Sequence, residues 1–267
     1  MQARRALAIA LRQFYLVRGS PSRLLPMFVW VAVDIVLWGF ITKYLNSITS
    51  PGFSFVPVLL GAVLLWDFFT RVMQGVTMAF FEDVWSRNFL NLFASPLSIP
   101  EYLAGLVVSS VATSAIGLTV MLVLATTAFG LSLLAQGGLL ALFLLVLFIF
   151  GIALGIVGCA IVLRLGPSAE WFVWPIPGLL SPFAGVFYPV STLPGWMQPV
   201  SWALPPSYVF EGMRATVLGQ SVSGTSALIG GGLSVVYLMA ACVLFARVYR
   251  HAVRTGLIAR YSAESVS

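Results

Sequence analysis

The sequence predicts an all-α integral membrane protein. It has six transmembrane helices, an N-terminal amphipathic interface helix, and re-entrant external helices between spans 5 and 6. Three observations carry this. The 267 residues are 60% hydrophobic and only 8% charged, where soluble domains carry roughly 25% charge, so the chain cannot cover a surface that faces water. Mean hydropathy is +1.02, and apolar stretches near the ~20 residues needed to span a bilayer recur along the chain. The arginines gather at the two chain ends beside apolar segments, which suits anchoring to an anionic leaflet rather than binding nucleic acid.

Residues 4–18 place Leu7, Leu11, Phe14 and Val17 or Arg18 at helical spacing, with Arg5 and Arg12 on another face. Such a helix lies along a membrane surface, and Gly19-Ser20-Pro21-Ser22 breaks it. Residues 1–23 lack the apolar core and small-residue cleavage site of a signal peptide, so the first span is expected to act as an uncleaved insertion signal. Spans follow at about 24–44, 55–80, 102–129, 138–163, 170–188 and 226–249. Pro175, Pro177 and Pro182 interrupt the fifth. The chain is a single transmembrane domain, with the interface helix at 1–23, the bundle at 24–250 and a tail at 251–267.

Basic residues mark the cytoplasmic side. The N-terminal segment is rich in arginine, and the tail holds Arg247, Arg250, Arg254 and Arg260. Both termini therefore belong inside, which needs an even number of spans. Arg87 and Arg164 mark two further inside loops, and the uncharged 130–137 loop falls outside. Six spans satisfy every loop.

Several chemistries are excluded. The only lysine is Lys43, preceded by Thr42, so the phosphate-cradling G-x-x-x-x-G-K pattern is missing, and ATP would have to be hydrolysed by another polypeptide. His251 is the only histidine, which removes multi-histidine metal sites, paired-histidine haem ligation and a Ser–His protease. No metal site and no catalytic residue is expected. Cys159 and Cys242 lie in apolar runs and are expected to be buried thiols.

Two segments stand out. Residues 82–100 read FEDVWSRNFLNLFASPLSIP from Phe81: an acidic pair, Glu82 and Asp83, then Arg87, then an apolar side, then Ser95-Pro96. This pattern predicts an amphipathic helix on the cytoplasmic side, stopped by proline; it is either an ordinary interfacial loop or a lever for a partner. Residues 185–214 carry Pro189, Pro194, Pro199, Pro205 and Pro206, with Trp196 and Trp202. They form either short helices dipping into the outer leaflet or a surface loop with interfacial aromatics.

Together these segments resemble the permeases of type-2 ABC exporters. The resemblance rests on Glu82 or Asp83 with Ser95-Pro96, and on Tyr188-Pro189, Leu193-Pro194-Gly195-Trp196, Pro205, Glu211 and Arg214. It covers all six spans in order. It implies a permease of the bacterial inner membrane that exports an amphipathic substrate, such as a lipid-linked glycan, a lipo-oligosaccharide or a hydrophobic drug. The 82–100 helix would dock on a cytoplasmic ATPase dimer that holds ATP and Mg, with the N-terminal helix packed nearby. A second copy of the chain would pair with the first, spans 1 and 5 lining the path, and the pieces after span 5 would form an external gate.

Asp34 falls mid-span 1, and Asp67 and Arg71 fall mid-span 2. A charge at bilayer centre costs about 2.5–3.5 kcal/mol on insertion scales, so these residues form either a buried polar tie or part of the substrate path. Asp67 and Arg71 are four apart and can pair on one helix face, and Asp34 could join them. A proton-coupled secondary transporter using Asp34, Asp67 and Arg71 is the alternative, although the inverted repeats that such proteins use are not visible. A membrane-embedded enzyme would have only Ser201, Ser207 and Glu211 to work with, which make no base–nucleophile pair. In span 5, Trp171, Phe172, Trp174, Phe183 and Phe187 either face lipid and core or line the path.

Overall fold

The computed structural model describes residues 3–19, 21–48, 56–86, 88, 91–92, 95–131, 133 and 137–257, and the regular structure among them is helical. Helix α1 is Ala3–Arg18, α2 is Pro21–Ile48, and a π-helical turn at Val56–Leu60 leads into α3, Gly61–Trp85. Then come α4, Ile99–Phe129, and α5, Gly138–Leu165. Short helices α6, Glu170–Val173, α7, Ile176–Leu180, and α8, Gln198–Trp202, precede α9, Pro205–Val217, and α10, Gly224–Arg254.

Five of these, α2 to α5 and α10, are long and apolar enough to cross a membrane. The 170–188 stretch is not one helix. Proline lacks the amide donor and its ring crowds the preceding turn; accordingly α6 ends before Pro175, α7 starts with Pro177 in its first turn, and residues 181–188 form turns.

Helix α5 is apolar all round, as suits a helix enclosed by others, and packs on both α3 and α10. Gly151 and Gly155 make the α3 contact possible. A Cβ at Gly155 would lie 2.8 Å from Val76 Cβ, and one at Gly151 would lie 2.9 Å from Val72 Cγ1. Small residues four apart let helix backbones approach closely inside a bilayer. On the other side of α3, Gly75 faces Ser110 of α4, whose hydroxyl donates to the Val72 carbonyl at 2.9 Å.

Contacting pairs set the directions. Between α5 and α10, Ser234 donates to the Val146 carbonyl and Phe150 meets Tyr237. Numbers rise together, so these two helices run parallel. Between α3 and α4 they run oppositely: Asp83 meets Tyr102, and Arg71 meets Gly117. Because α5 and α10 share a direction, residues 166–223 connect opposite ends of the bundle.

The thiols differ from expectation. Cys159 is buried against α3, but Cys242 is exposed. Helix α10 turns Gly230, Ser234, Ala241 and Phe245 inward, and Cys242 lies beside that stripe, facing out. An apolar side chain on a spanning helix can face lipid as readily as core.

Candidate functional site

The bundle has three linked polar regions: a clamp at the α1 end, a cavity at mid-height, and a knot at the other end.

The clamp begins with the two faces of α1. Its apolar residues Leu7, Leu11 and Phe14 are exposed, while Ala6, Ile9, Ala10 and Gln13 are buried against α4. Close approach depends on Gly105, where a Cβ would stand 2.5 Å from Ile9 Cβ. Arg5 and Arg12 then meet two acids. Arg12 pairs with Asp83 in the last turn of α3 at 2.5 Å, and Arg5 pairs with Glu101 in the first turn of α4 at 3.5 Å. Asp83 is wholly buried and also accepts the Tyr102 hydroxyl at 2.8 Å. Gln13 donates to the Ala79 carbonyl at 3.3 Å. Burial works against the charged Arg12, yet the contact with Asp83 outweighs it and holds the guanidinium above its ordinary pKa.

Glu101 has a second task. Its carboxylate accepts the Ser98 amide at 3.0 Å, closing a capping box that starts α4. The clamp therefore brackets residues 86–98, the end of α3 on one side and the start of α4 on the other. Within that segment, Leu92 N donates to the Asn88 carbonyl, and the Ser95 hydroxyl donates to the Leu92 carbonyl before the chain bends at Pro96. Arg87 lies outside the described residues, as do Phe89, Leu90 and Phe93.

The cavity of about 720 Å³ opens between α1, α2, α3 and α4. Its wall runs from Gln13 and Glu82 near the clamp to Asp34, Asp67 and Arg71. From Glu82 to Asp67 is about 22 Å along α3 at 1.5 Å per residue. A second pocket of about 360 Å³ continues it, sharing Asp34, Asp67 and Trp174 and adding Trp38, Trp66 and Phe187. Trp38 stacks on Phe187 with ring centroids 5.1 Å apart.

Arg71 Nε and Asp67 Oδ2 pair at 2.6 Å, as the four-residue spacing predicts. Asp34 lies with them on the cavity wall, subject to both charges, but forms no side-chain hydrogen bond or ion pair with a described residue. Ser114, also on the wall, is buried with its hydroxyl unpartnered. Trp174 of the 170–188 stretch reaches the cavity and Phe187 the pocket that continues it, while Trp171 and Phe172 point outward.

The knot ties α9 to the turns before it. Glu211 accepts the Val190 amide at 2.6 Å and pairs with Arg214 at 3.0 Å. Arg214, largely buried, also donates to the Val186 carbonyl at 3.3 Å. Tyr188 donates to the Pro182 carbonyl, Thr192 to that of Pro189, and Gln198 to that of Leu193. Pro194 accepts the Met197 amide, Pro205 begins α9, and Trp196 stands 69% exposed. Tyr237 of α10 donates to the Ala203 carbonyl, joining the knot to the bundle.

The partners Arg5, Arg12, Glu101 and Tyr102 go beyond the site residues named from sequence. The capping pattern Ser98-x-x-Glu101 was a readable signal for one of them. No group of His, Cys, Asp and Glu suited to a metal occurs among the described residues.

Long apolar helices enclosing a polar cavity define a multi-pass membrane protein. The chain belongs to the ABC-2 type transporter family, whose model matches residues 6–218. Members are transmembrane subunits that work with ATPase partners. The match runs from within α1 to just beyond α9, leaving α10 outside it. No curated protein gives a match.

Proposed function

We propose that this chain is the permease subunit of an ATP-driven exporter that moves an amphipathic molecule outward across the bacterial inner membrane. Lipid-linked glycans, lipo-oligosaccharides and hydrophobic drugs are the substrate classes in view. One observation carries the proposal: the clamp joins α1, α3 and α4 around residues 86–98, at the same end of the bundle where the polar cavity begins. A partner pressing on that segment would move the three helices, and with them the cavity wall, as one body.

The α1 end is then the cytoplasmic end, where an ATPase dimer carrying ATP and Mg docks. Glu82, Arg87, Ser95 and Pro96 belong to the docking segment, and Asp83 transmits its motion inward through Arg12. Six spans follow if residues 170–188 make a crossing despite their breaks. The parallel course of α5 and α10 supports that count. The knot around Glu211 and Arg214 is the external gate, with short helices set into the outer leaflet. A second copy completes the path along α2 and the 170–188 stretch, both of which carry exposed apolar side chains. Both termini lie in the cytoplasm.

The test is a reconstituted complex with its ATPase. Pro96→Ala is expected to leave the assembled complex intact while ATP hydrolysis no longer drives export. Normal export by this variant would overturn the lever. The proton-coupled alternative has one observation in its favour, the Asp34 carboxylate on the cavity wall; transport that survives without ATP and collapses with the proton gradient would select it.

A further inference from the structure

Among the described residues of the cavity wall, Asp34, Asp67 and Arg71 together carry one excess negative charge. Asp67 and Arg71 neutralise each other at 2.6 Å. Asp34 faces the same space without an ion pair or side-chain hydrogen bond from a described residue. A carboxylate held at this depth is costly without a counter-charge. Arg71 carries one positive charge beside two carboxylates, so it neutralises one of them and leaves the group one negative charge in excess. An anionic headgroup such as a phosphate would meet two carboxylates beside one occupied guanidinium.

The walls around Asp34 are aromatic. Trp38, Trp66, Trp174 and Phe187 line the adjoining pocket. Aromatic faces attract cations through their quadrupole, more strongly where water is excluded, and tryptophan does so best. The buried Ser114 hydroxyl adds an unpartnered polar atom to the cavity wall. The two pockets, about 720 and 360 Å³, fall in the ~300–1,000 Å³ range of small-molecule sites.

We propose that this cavity binds a lipophilic organic monocation, its charge against Asp34 and its apolar body among Trp38, Trp66, Trp174 and Phe187. This names a substrate class for the path proposed above and rests on that path being the cavity. It narrows the cargo to a molecule with a basic or quaternary centre on an apolar frame.

The experiment uses the full chain in lipid nanodiscs, with empty discs subtracted. Two radiolabelled probes of nearly equal shape and opposite charge are compared: tetraphenylphosphonium and tetraphenylborate. Saturable binding of tetraphenylphosphonium alone is expected, at least tenfold weaker in Asp34→Asn and largely restored in Asp34→Glu. Elution and melting profiles matching the wild type keep the Asp34→Asn result from being a folding defect. Saturable tetraphenylborate binding of equal strength, unchanged affinity in Asp34→Asn, or no saturable binding of either probe would overturn the proposal. The assay contains no ATPase and no nucleotide. Cation binding together with a failed coupling test would remove the exporter reading and keep the ligand class; the reverse pattern would remove only the ligand class.

Discussion

The Arg12 guanidinium of α1 sits 2.5 Å from the Asp83 carboxylate of α3, a side chain with no solvent exposure, across 71 positions of sequence. With Arg5–Glu101 and the packing of Ile9 on Gly105, this contact holds an interfacial helix against the bundle. Removing one member of a buried pair strands the other, at a cost of ~3–5 kcal/mol when both are enclosed. Arg12 keeps 28% of its side-chain exposure, so Arg12→Met should cost roughly 2 kcal/mol once screening by solvent is allowed for. Combined with Asp83→Asn, which removes the stranded charge, the loss should fall short of the sum of the two single changes. Melting temperatures of the four proteins in one detergent check this; strict additivity would mean the ion pair is not coupled.

Tyr102 is the second partner of Asp83, and Tyr102→Phe removes one hydrogen bond without changing shape. Bonds to charged groups contribute about 1.5–3 kcal/mol, so the variant should melt measurably lower. The decrease should shrink in the Asp83→Asn, Arg12→Met background, where the hydroxyl meets a neutral amide oxygen in place of a carboxylate.

How much of this could be read beforehand depends on range. The five long helices α2 to α5 and α10 follow from apolar runs, because bilayer thickness imposes a length that sequence must meet. The apolar stripe Leu7, Leu11, Phe14 follows from helical period and is outward-facing in the structure. The Arg71–Asp67 pair follows from four-residue spacing. Arg12–Asp83 and Arg5–Glu101 did not follow, since nothing local in either segment names a partner some 70 to 96 residues away. Cys242 shows a different limit. Lipid and protein core are both apolar, so hydropathy places a residue in the membrane without telling which of the two it faces.

Gly155 tests the packing of α5 on α3. A Cβ there would fall 2.8 Å from Val76 Cβ and 3.0 Å from the Met73 carbonyl, contacts closer than side chains tolerate. Gly155→Val should destabilise the bundle by about 1–3 kcal/mol, the range for overpacking a filled core. Gly178→Ala, where nothing lies within 4 Å of the new Cβ, is the matched control and should melt with the wild type. Equal melting of Gly155→Val would mean α3 and α5 do not approach this closely in the membrane.

Glu211 holds both the Val190 amide and Arg214 with one oxygen. Glu211→Gln keeps an acceptor of the same reach and loses the charge, whereas Glu211→Ala leaves the largely buried Arg214 without its carboxylate. Alanine should therefore cost more than glutamine by roughly 1–2 kcal/mol. Protease cleavage in the 186–204 turns, measured over time, should rise in the same order. Equal cleavage of wild type and Glu211→Ala would show that the knot does not depend on this residue.

The course of residues 166–223 gives the last test. Phe150 meets Tyr237 and Val146 meets Ser234, so α5 and α10 point the same way, and the chain between them must return through or beside the bundle. Pro175, Pro177 and Pro182 prevent that return from being a single helix. Backbone groups freed by the breaks can be tolerated at membrane depth only against protein or a wet cavity, and Trp174 of this stretch lines the polar cavity while Phe187 lines the pocket that continues it. Single cysteines at Ser168 and Gln220, both exposed, should consequently label from opposite sides of sealed vesicles when Cys159 and Cys242 are replaced by serine. A membrane-impermeant maleimide should reach one in right-side-out vesicles and the other only in inverted ones. Labelling of both from one side would mean the stretch does not cross, and would remove the path along which the cavity is argued to empty.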